Sequence, residues 1–209
     1  MAGLGLLFGE WGPALQTLAK MPQNIREAKH KALLLEGQFF RGLVVEGLRE
    51  QAPGGKAFKP LAPTTIAMRQ FFGFKGTKAL LRRGDLRNAI VVHDLEDSVF
   101  VGVLRNAKNR QGTALIDVAK LNEYGSKPIV IQITPRMAAL LHAAFRKSAY
   151  GNRLGPPRPS TGIITVQIPA RPFLTPVFEK YGQPEASSKR FAERVAKELK
   201  AKNSVWNKL

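Results

Sequence analysis

Residues 87–104 read RNAIVVHDLEDSVFVGVL, and this stretch decides the fold class. Ile90 and Val92 alternate with their neighbours, as do Val99, Val101 and Val103 further on. A period of two is the signature of a strand with one buried face. Leu95-Glu96-Asp97 lies between the two runs as a turn. A connection this short forces the two strands to pair antiparallel. Beyond them, residues 105–112 (RNAKNRQG) form a basic polar loop. Residues 114–124 suit a short helix, with Thr113 as its cap and Gly125 as its stop.

Two further strands are expected. Residues 128–134 place Ile129, Ile131 and Ile133 on one face, and residues 162–168 do the same with Ile164, Val166 and Ile168. Between them lie a helical piece at 135–150 and the Gly/Pro loop GNRLGPPRPSTG at 151–162. The span 135–161 therefore reads as an excursion from an extended hairpin, with a projecting tip.

The longest helix is expected over residues 22–52, with Pro22 in its first turn and Pro53-Gly54-Gly55 ending it. Ile25, Ala28, Ala32, Leu35, Phe39 and Leu43 recur at three and four, and Leu33, Phe40, Val44 and Leu48 widen that stripe. Thr64 or Thr65 can cap a short helix reaching Phe72, and Gly73 and Gly76 open a turn. Leu80 and Leu81 begin a short apolar piece that ends at Gly84. Three prolines in residues 169–181 precede one short helix, and Phe191, Val195 and Leu199 mark an amphipathic helix over 185–202. The expected class is α+β: a small, mostly antiparallel four-stranded sheet packed by a long N-terminal helix and a C-terminal helix. Residues 1–21 read as an arm, 22–181 as the α+β domain, and 182–209 as a C-terminal amphipathic helix and tail.

Hydrophobic residues make up 44% of the 209, enough for a core. The charge is lopsided: 33 Lys and Arg against 15 Asp and Glu give +18. Such a surplus repels itself and calls for acidic partners. Nucleic acid, a membrane surface and an acidic protein face all qualify on charge alone. The absence of cysteine excludes disulfides and thiolate chemistry. The opening MAGLGLLFGEW has no basic residue before a brief apolar run, and no window approaches a spanning helix. A soluble, intracellular chain with no membrane partner is therefore expected.

No catalytic constellation is visible. His30, His93 and His142 lie on three different expected elements without metal-ligand spacing. Asp94 and Asp97 flank the hairpin turn, where such residues are common. Gly73-Phe74-Lys75-Gly76-Thr77-Lys78 lacks the spacing of a phosphate loop and reads as a flexible basic loop. Neither an enzyme nor a cofactor is expected. The basic residues are spread along the chain, with Arg69, Lys75, Lys78, Arg82, Arg83 and Arg87 in one stretch. Others follow at 105–110, 146–158 and along the last helix. No sequence-reading motif accompanies them, so sequence-blind phosphate contact or an acidic protein face is the matching chemistry. Lys75, Lys78, Arg105, Lys108, Arg110, Arg153 and Arg158 are the candidate contacts.

The order of several segments adds to this. Lys59-Pro60-Leu61, Thr64/Thr65, LLRRGDLRNAIVV, VFVGV, VAKLNEYGSKP, ITPRM and IPARPFL (168–174) follow one another across residues 56–180. This order resembles the Mu-like phage virion morphogenesis family of neck and tail-completion proteins, and IPARPFL is its most specific piece. Two segments depart from the family: Arg83-Gly84-Asp85-Leu86 replaces a TG-x-L form, and Asn122-Glu123-Tyr124-Gly125 replaces an H-x-F-G form. The resemblance implies a structural virion protein that forms a ring around the DNA channel, six-fold by preference and twelve-fold otherwise. Portal or connector proteins on one side, tail terminator or tail tube proteins on the other, and genomic double-stranded DNA would be its partners. It implies a place in the virion neck or tail after assembly in the host cytoplasm. Within IPARPFL, Pro169 and Pro172 fix the chain leaving a strand, and Arg171 offers a forked donor. Arg171, Pro172, Phe173 and Leu174 are expected either to staple the last strand to the helix behind it or to contact a neighbouring subunit. A basic, sequence-nonspecific DNA-binding protein of packaging or nucleoid type is the alternative.

Overall fold

The computed structural model describes residues 11–95, 97–148 and 162–206. It is an α+β fold with a long N-terminal and a long C-terminal helix. Helix α1 spans Trp11–Glu50, and α7 spans Pro184–Trp206. Between them lie α2 (Pro63–Phe71), α3 (Asp85–Asn88), β1 (Ile90–Asp94), β2 (Val99–Val103) and α4 (Leu115–Tyr124). Strand β3 (Ile129–Gln132), α5 (Pro135–Lys147), β4 (Ile163–Val166) and α6 (Thr175–Tyr181) follow.

Helix α1 starts eleven residues before the expected Pro22 and runs through it. Pro22 removes one helical N–H donor without ending the element. Of the assumed arm, residues 11–21 are helical, while 1–10 lie outside the described residues. The buried hydrophobic positions of α1 all belong to the expected apolar set. Ala28, Ala32, Phe40, Val44 and Leu48 are the buried positions, whereas Ile25 and Leu35 are about 40% exposed. Helix α1 packs against α7, the β1–β2 hairpin and α6, with Lys31 and Glu36 facing α7 and His30 and Gly37 facing the hairpin. Gly37 sits at that hairpin crossing. A Cβ there would stand 2.6 Å from Val99 Cγ1 and 2.7 Å from Val92 Cγ1.

The hairpin has the expected antiparallel register, Ile90 opposite Val103 and Val92 opposite Val101. Its inner residues join one core with Phe40, Val44, Leu48, Leu86, Leu115, Phe173 and Val177. Phe40 stacks on Phe178 at 4.8 Å between ring centres. On the opposite flank Phe191, Val195 and Leu199 lie half-buried on α7, as their spacing predicts. There Glu36 of α1 receives Arg190 at 2.7 Å and Arg194 at 3.3 Å, and Lys31 meets Glu198 at 2.6 Å.

The single four-stranded sheet is replaced by two ladders, β1–β2 and β3–β4, each antiparallel. The second is anchored elsewhere: the Ser126 N–H donates to the Ile168 carbonyl at 3.0 Å, and the Ile168 N–H donates to Ser126 Oγ at 2.9 Å. These bonds continue the β3–β4 ladder to Ser126, which follows α4, and to Ile168, which opens the IPARPFL segment. Ile129, Val130, Ile163 and Val166 remain 36–72% exposed along it. The helical part of the expected excursion does not project. It is α5, capped by Thr134 and packed against α2. The remainder, 149–161, lies outside the described residues. The Thr113 cap is replaced by Ala114, and α2 starts at Pro63 after Ala62 with neither Thr64 nor Thr65 capping it.

Phe173 is fully buried where the core meets α6. Phe173→Ala should lower stability by about 3–5 kcal/mol. A urea titration should show the midpoint falling at unchanged slope.

Candidate functional site

The closing segment IPARPFLT (168–175) runs against the end of α4. Gly125 turns the chain there with φ +80°, and a Cβ at this position would stand 3.0 Å from the Ala170 nitrogen. The Arg171 N–H donates to the Asn122 carbonyl. The Glu123 carboxylate, 8% exposed, accepts the N–H groups of Phe173 (2.8 Å), Leu174 (3.2 Å) and Thr175 (2.8 Å). These amides lie at the start of α6, where helix geometry leaves donors unpaired and carries partial positive charge. Arg171 turns the other way. Its Nε donates to the Lys59 carbonyl at 2.9 Å and its Nη2 to the Pro60 carbonyl at 3.0 Å. Three segments far apart in sequence, 59–61, 122–126 and 168–175, thus close into one clasp. Of the four residues expected at a subunit contact, Arg171 and Phe173 are occupied within the chain, and Pro172 and Leu174 keep part of their surface open.

Beside the clasp lies a cleft of about 260 Å³. Arg171 and Arg69 line its inner part, Arg82 and Arg83 its outer part, and Leu61, Leu80, Leu86 and Leu115 supply apolar walls. Asn109, Gln111 and Asn122 add polar groups, and Asp85 is its one carboxylate. The guanidiniums are held in place by the fold. Arg69 Nη1 donates to the Lys78 carbonyl at 2.8 Å. Arg82 and Arg83 both lie on the Phe74 ring, at 4.5 and 5.2 Å from its centre. Burial pulls the Arg69 pKa below its ordinary value, and the nearby charges of Arg82 and Arg171 add to that. Burial also lowers the Arg171 pKa. None of these four has a carboxylate within 4 Å among the described residues. A second concavity continues outward, lined by Phe74, Arg82, Arg83, Asp85, Asn88 and Arg110.

The candidate basic residues divide. Arg110 joins this surface, and Lys108 lines a shallow depression beside it. Arg105 is exposed at the start of the same loop and lines neither concavity. Lys78 closes α1 by donating to the Arg49 carbonyl at 2.7 Å, and Lys75 is exposed on the loop before it. Arg153 and Arg158 lie outside the described residues. In the cleft Arg69, Arg82 and Arg83, grouped in one stretch of sequence, are joined by Arg171 from far along the chain. The neighbouring Phe74 was the available signal, being an aromatic platform beside an Arg pair. Among the described residues no three His, Cys, Asp or Glu side chains gather as metal ligands. His30 Nε2 instead meets Asp94 Oδ2 at 3.0 Å.

No protein-family model, curated protein or solved structure matches the chain. The family resemblance therefore rests on its own segments.

The clasp makes a sharp stability test. Glu123→Gln keeps the shape but turns an acceptor-only group into one that presents an NH₂ toward backbone N–H donors. Hydrogen bonds to a charged group contribute about 1.5–3 kcal/mol. Thermal unfolding of this variant should show a loss of that order, and an unchanged Tm would contradict the described geometry.

Proposed function

We propose that the chain is a structural protein of a tailed-phage virion, a ring-forming subunit of the neck or tail-completion region that joins head to tail. One observation carries this reading. Two segments that resemble the family, Lys59-Pro60-Leu61 and Ile168–Leu174, are bonded to each other through Arg171. The second is also bonded to Asn122–Ser126, which holds the family's equivalent place although Asn122–Gly125 departs from its H-x-F-G form. An ordered set of motifs whose members touch is the pattern of one inherited folding unit. Two surface properties suit assembly as well. The β3–β4 ribbon exposes branched apolar side chains, and a two-stranded ribbon is only marginally stable on its own in water. Repeated around a ring, such a surface gives each subunit the same contact twice over. The surplus positive charge would meet acidic faces of portal or tail proteins, or the DNA passing through the channel.

A second reading is favoured by the arginine cleft itself: a basic, sequence-nonspecific DNA-binding protein of packaging or nucleoid type. Deleting the coding sequence from the genome that carries it separates the two. The virion reading expects filled heads and finished tails that fail to join, seen by electron microscopy, with the chain detectable by mass spectrometry in intact particles. Normal particle yield without the chain would contradict it. Charge reversal at Arg105, Lys108 and Arg110 should likewise block joining while circular dichroism shows the isolated chain still folded.

A further inference from the structure

We infer that the cleft beside the clasp is a binding site for a phosphate group of a single nucleic acid strand. Arg69, Arg82 and Arg171 reach it from three separate parts of the chain and none is neutralised there by a carboxylate within 4 Å among the described residues. Like charges gathered in a partly apolar recess are unfavourable unless an anion enters. Their positions do not depend on a ligand. Arg171 is fixed by two backbone carbonyls, Arg69 by the Lys78 carbonyl, and Arg82 by the Phe74 ring. These bonds use Nε and Nη2 of Arg171 and Nη1 of Arg69, and the remaining N–H groups of the positioned guanidiniums can bind an oxyanion with little ordering cost.

The run of basic concavities favours a nucleic acid strand over a carboxylate side chain. A backbone phosphodiester and a carboxylate each carry one charge on two oxygens, but along a strand each phosphodiester is followed by another, and a second basic concavity with Arg83 and Arg110 adjoins the cleft. The recess favours a single strand over a duplex. Arg171 is only 6% exposed, below the rim formed by the exposed Arg82 and Arg83. Duplex phosphates lie on the outside of a stiff cylinder, whereas a flexible strand can turn one inward. The outer concavity with Arg83, Asn88 and Arg110 then lies where a neighbouring phosphate of the same strand would follow. The inference goes beyond the assembly role. Particle assays that fail would leave it standing, and the binding assay below involves no virion.

The test is fluorescence anisotropy with the full chain and a short labelled single strand of mixed sequence. The variant Arg82→Gln with Arg83→Gln changes two exposed side chains and should fold normally. Lys189→Gln with Lys197→Gln removes the same charge from the exposed face of α7. The cleft variant should bind the strand about tenfold more weakly with a shallower salt dependence, and the α7 variant within about twofold of the parent. Arg69→Gln, inside the cleft, should reproduce the loss. A duplex of the same sequence should bind more weakly than the strand and be less affected by the cleft variant. Equal losses in the cleft and α7 variants would overturn the site. So would displacement of the strand by a poly-glutamate peptide at equal concentration, which would assign an acidic protein instead. Displacement by equimolar pyrophosphate would assign a free oxyanion and overturn the strand.

Discussion

The Glu123 carboxylate is the group on which the architecture turns. It sits almost buried at the end of α4 and accepts three consecutive backbone N–H groups at the start of α6. A buried anion is costly unless its lone pairs are met, and here amide donors rather than a cation meet them. This choice has two consequences. It fixes the chain between β4 and α6 so that Phe173 and Val177 enter the core beside Phe40, Val44 and Leu48. It also leaves Glu123 outside the ion pairs among the described residues. Arg171, two residues before Phe173, binds backbone carbonyls of Lys59 and Pro60 and stands at the cleft wall with no carboxylate within 4 Å among the described residues.

The acids of the protein are placed elsewhere. Glu36 and Glu198 hold α1 to α7 through Arg190, Arg194 and Lys31, and Glu179 meets Lys56 on the surface. At the cleft that carries Arg69, Arg82, Arg83 and Arg171, Asp85 is the one carboxylate in the lining. Part of the +18 excess therefore gathers where the backbone and an aromatic ring already hold guanidiniums in position. Neutralisation from outside costs less when the cations do not have to be ordered first.

Much of the fold was legible because it follows from local periodicity. The β1–β2 hairpin, the helix ending at Gly125 and the amphipathic α7 stripe all lie close to where alternation, glycine placement and four-residue spacing put them. What local patterns lack is the partner. The apolar set read on α1 held all its buried hydrophobic residues, but nothing in it told that Ile25 and Leu35 stay partly open or that Gly37 is where the hairpin crosses. Pro22 marked no boundary, since one missing donor does not stop a forty-residue helix. The four strands had the alternation of one sheet, but each pair closes only on itself, β1 on β2 and β3 on β4, and alternation does not say which strands pair. The clasp was half legible: IPARPFL announced a fixed exit from a strand, while nothing local marked Glu123 as its acceptor. The cleft was least legible. Its arginines come from positions 69, 82, 83 and 171, and only long-range folding brings the last to the others.

The claim at the centre is that this chain carries a preformed arginine cleft whose counter-charge comes from another molecule. Nitrogen-15 NMR of the arginine side chains, with a short single strand added stepwise, addresses it residue by residue. The Nε signals of Arg69, Arg82, Arg83 and Arg171 should shift and saturate together, while those of Arg190 and Arg194, already facing Glu36, stay in place. Small, unsaturating shifts spread evenly over all the arginines would show a diffuse basic surface and contradict the account.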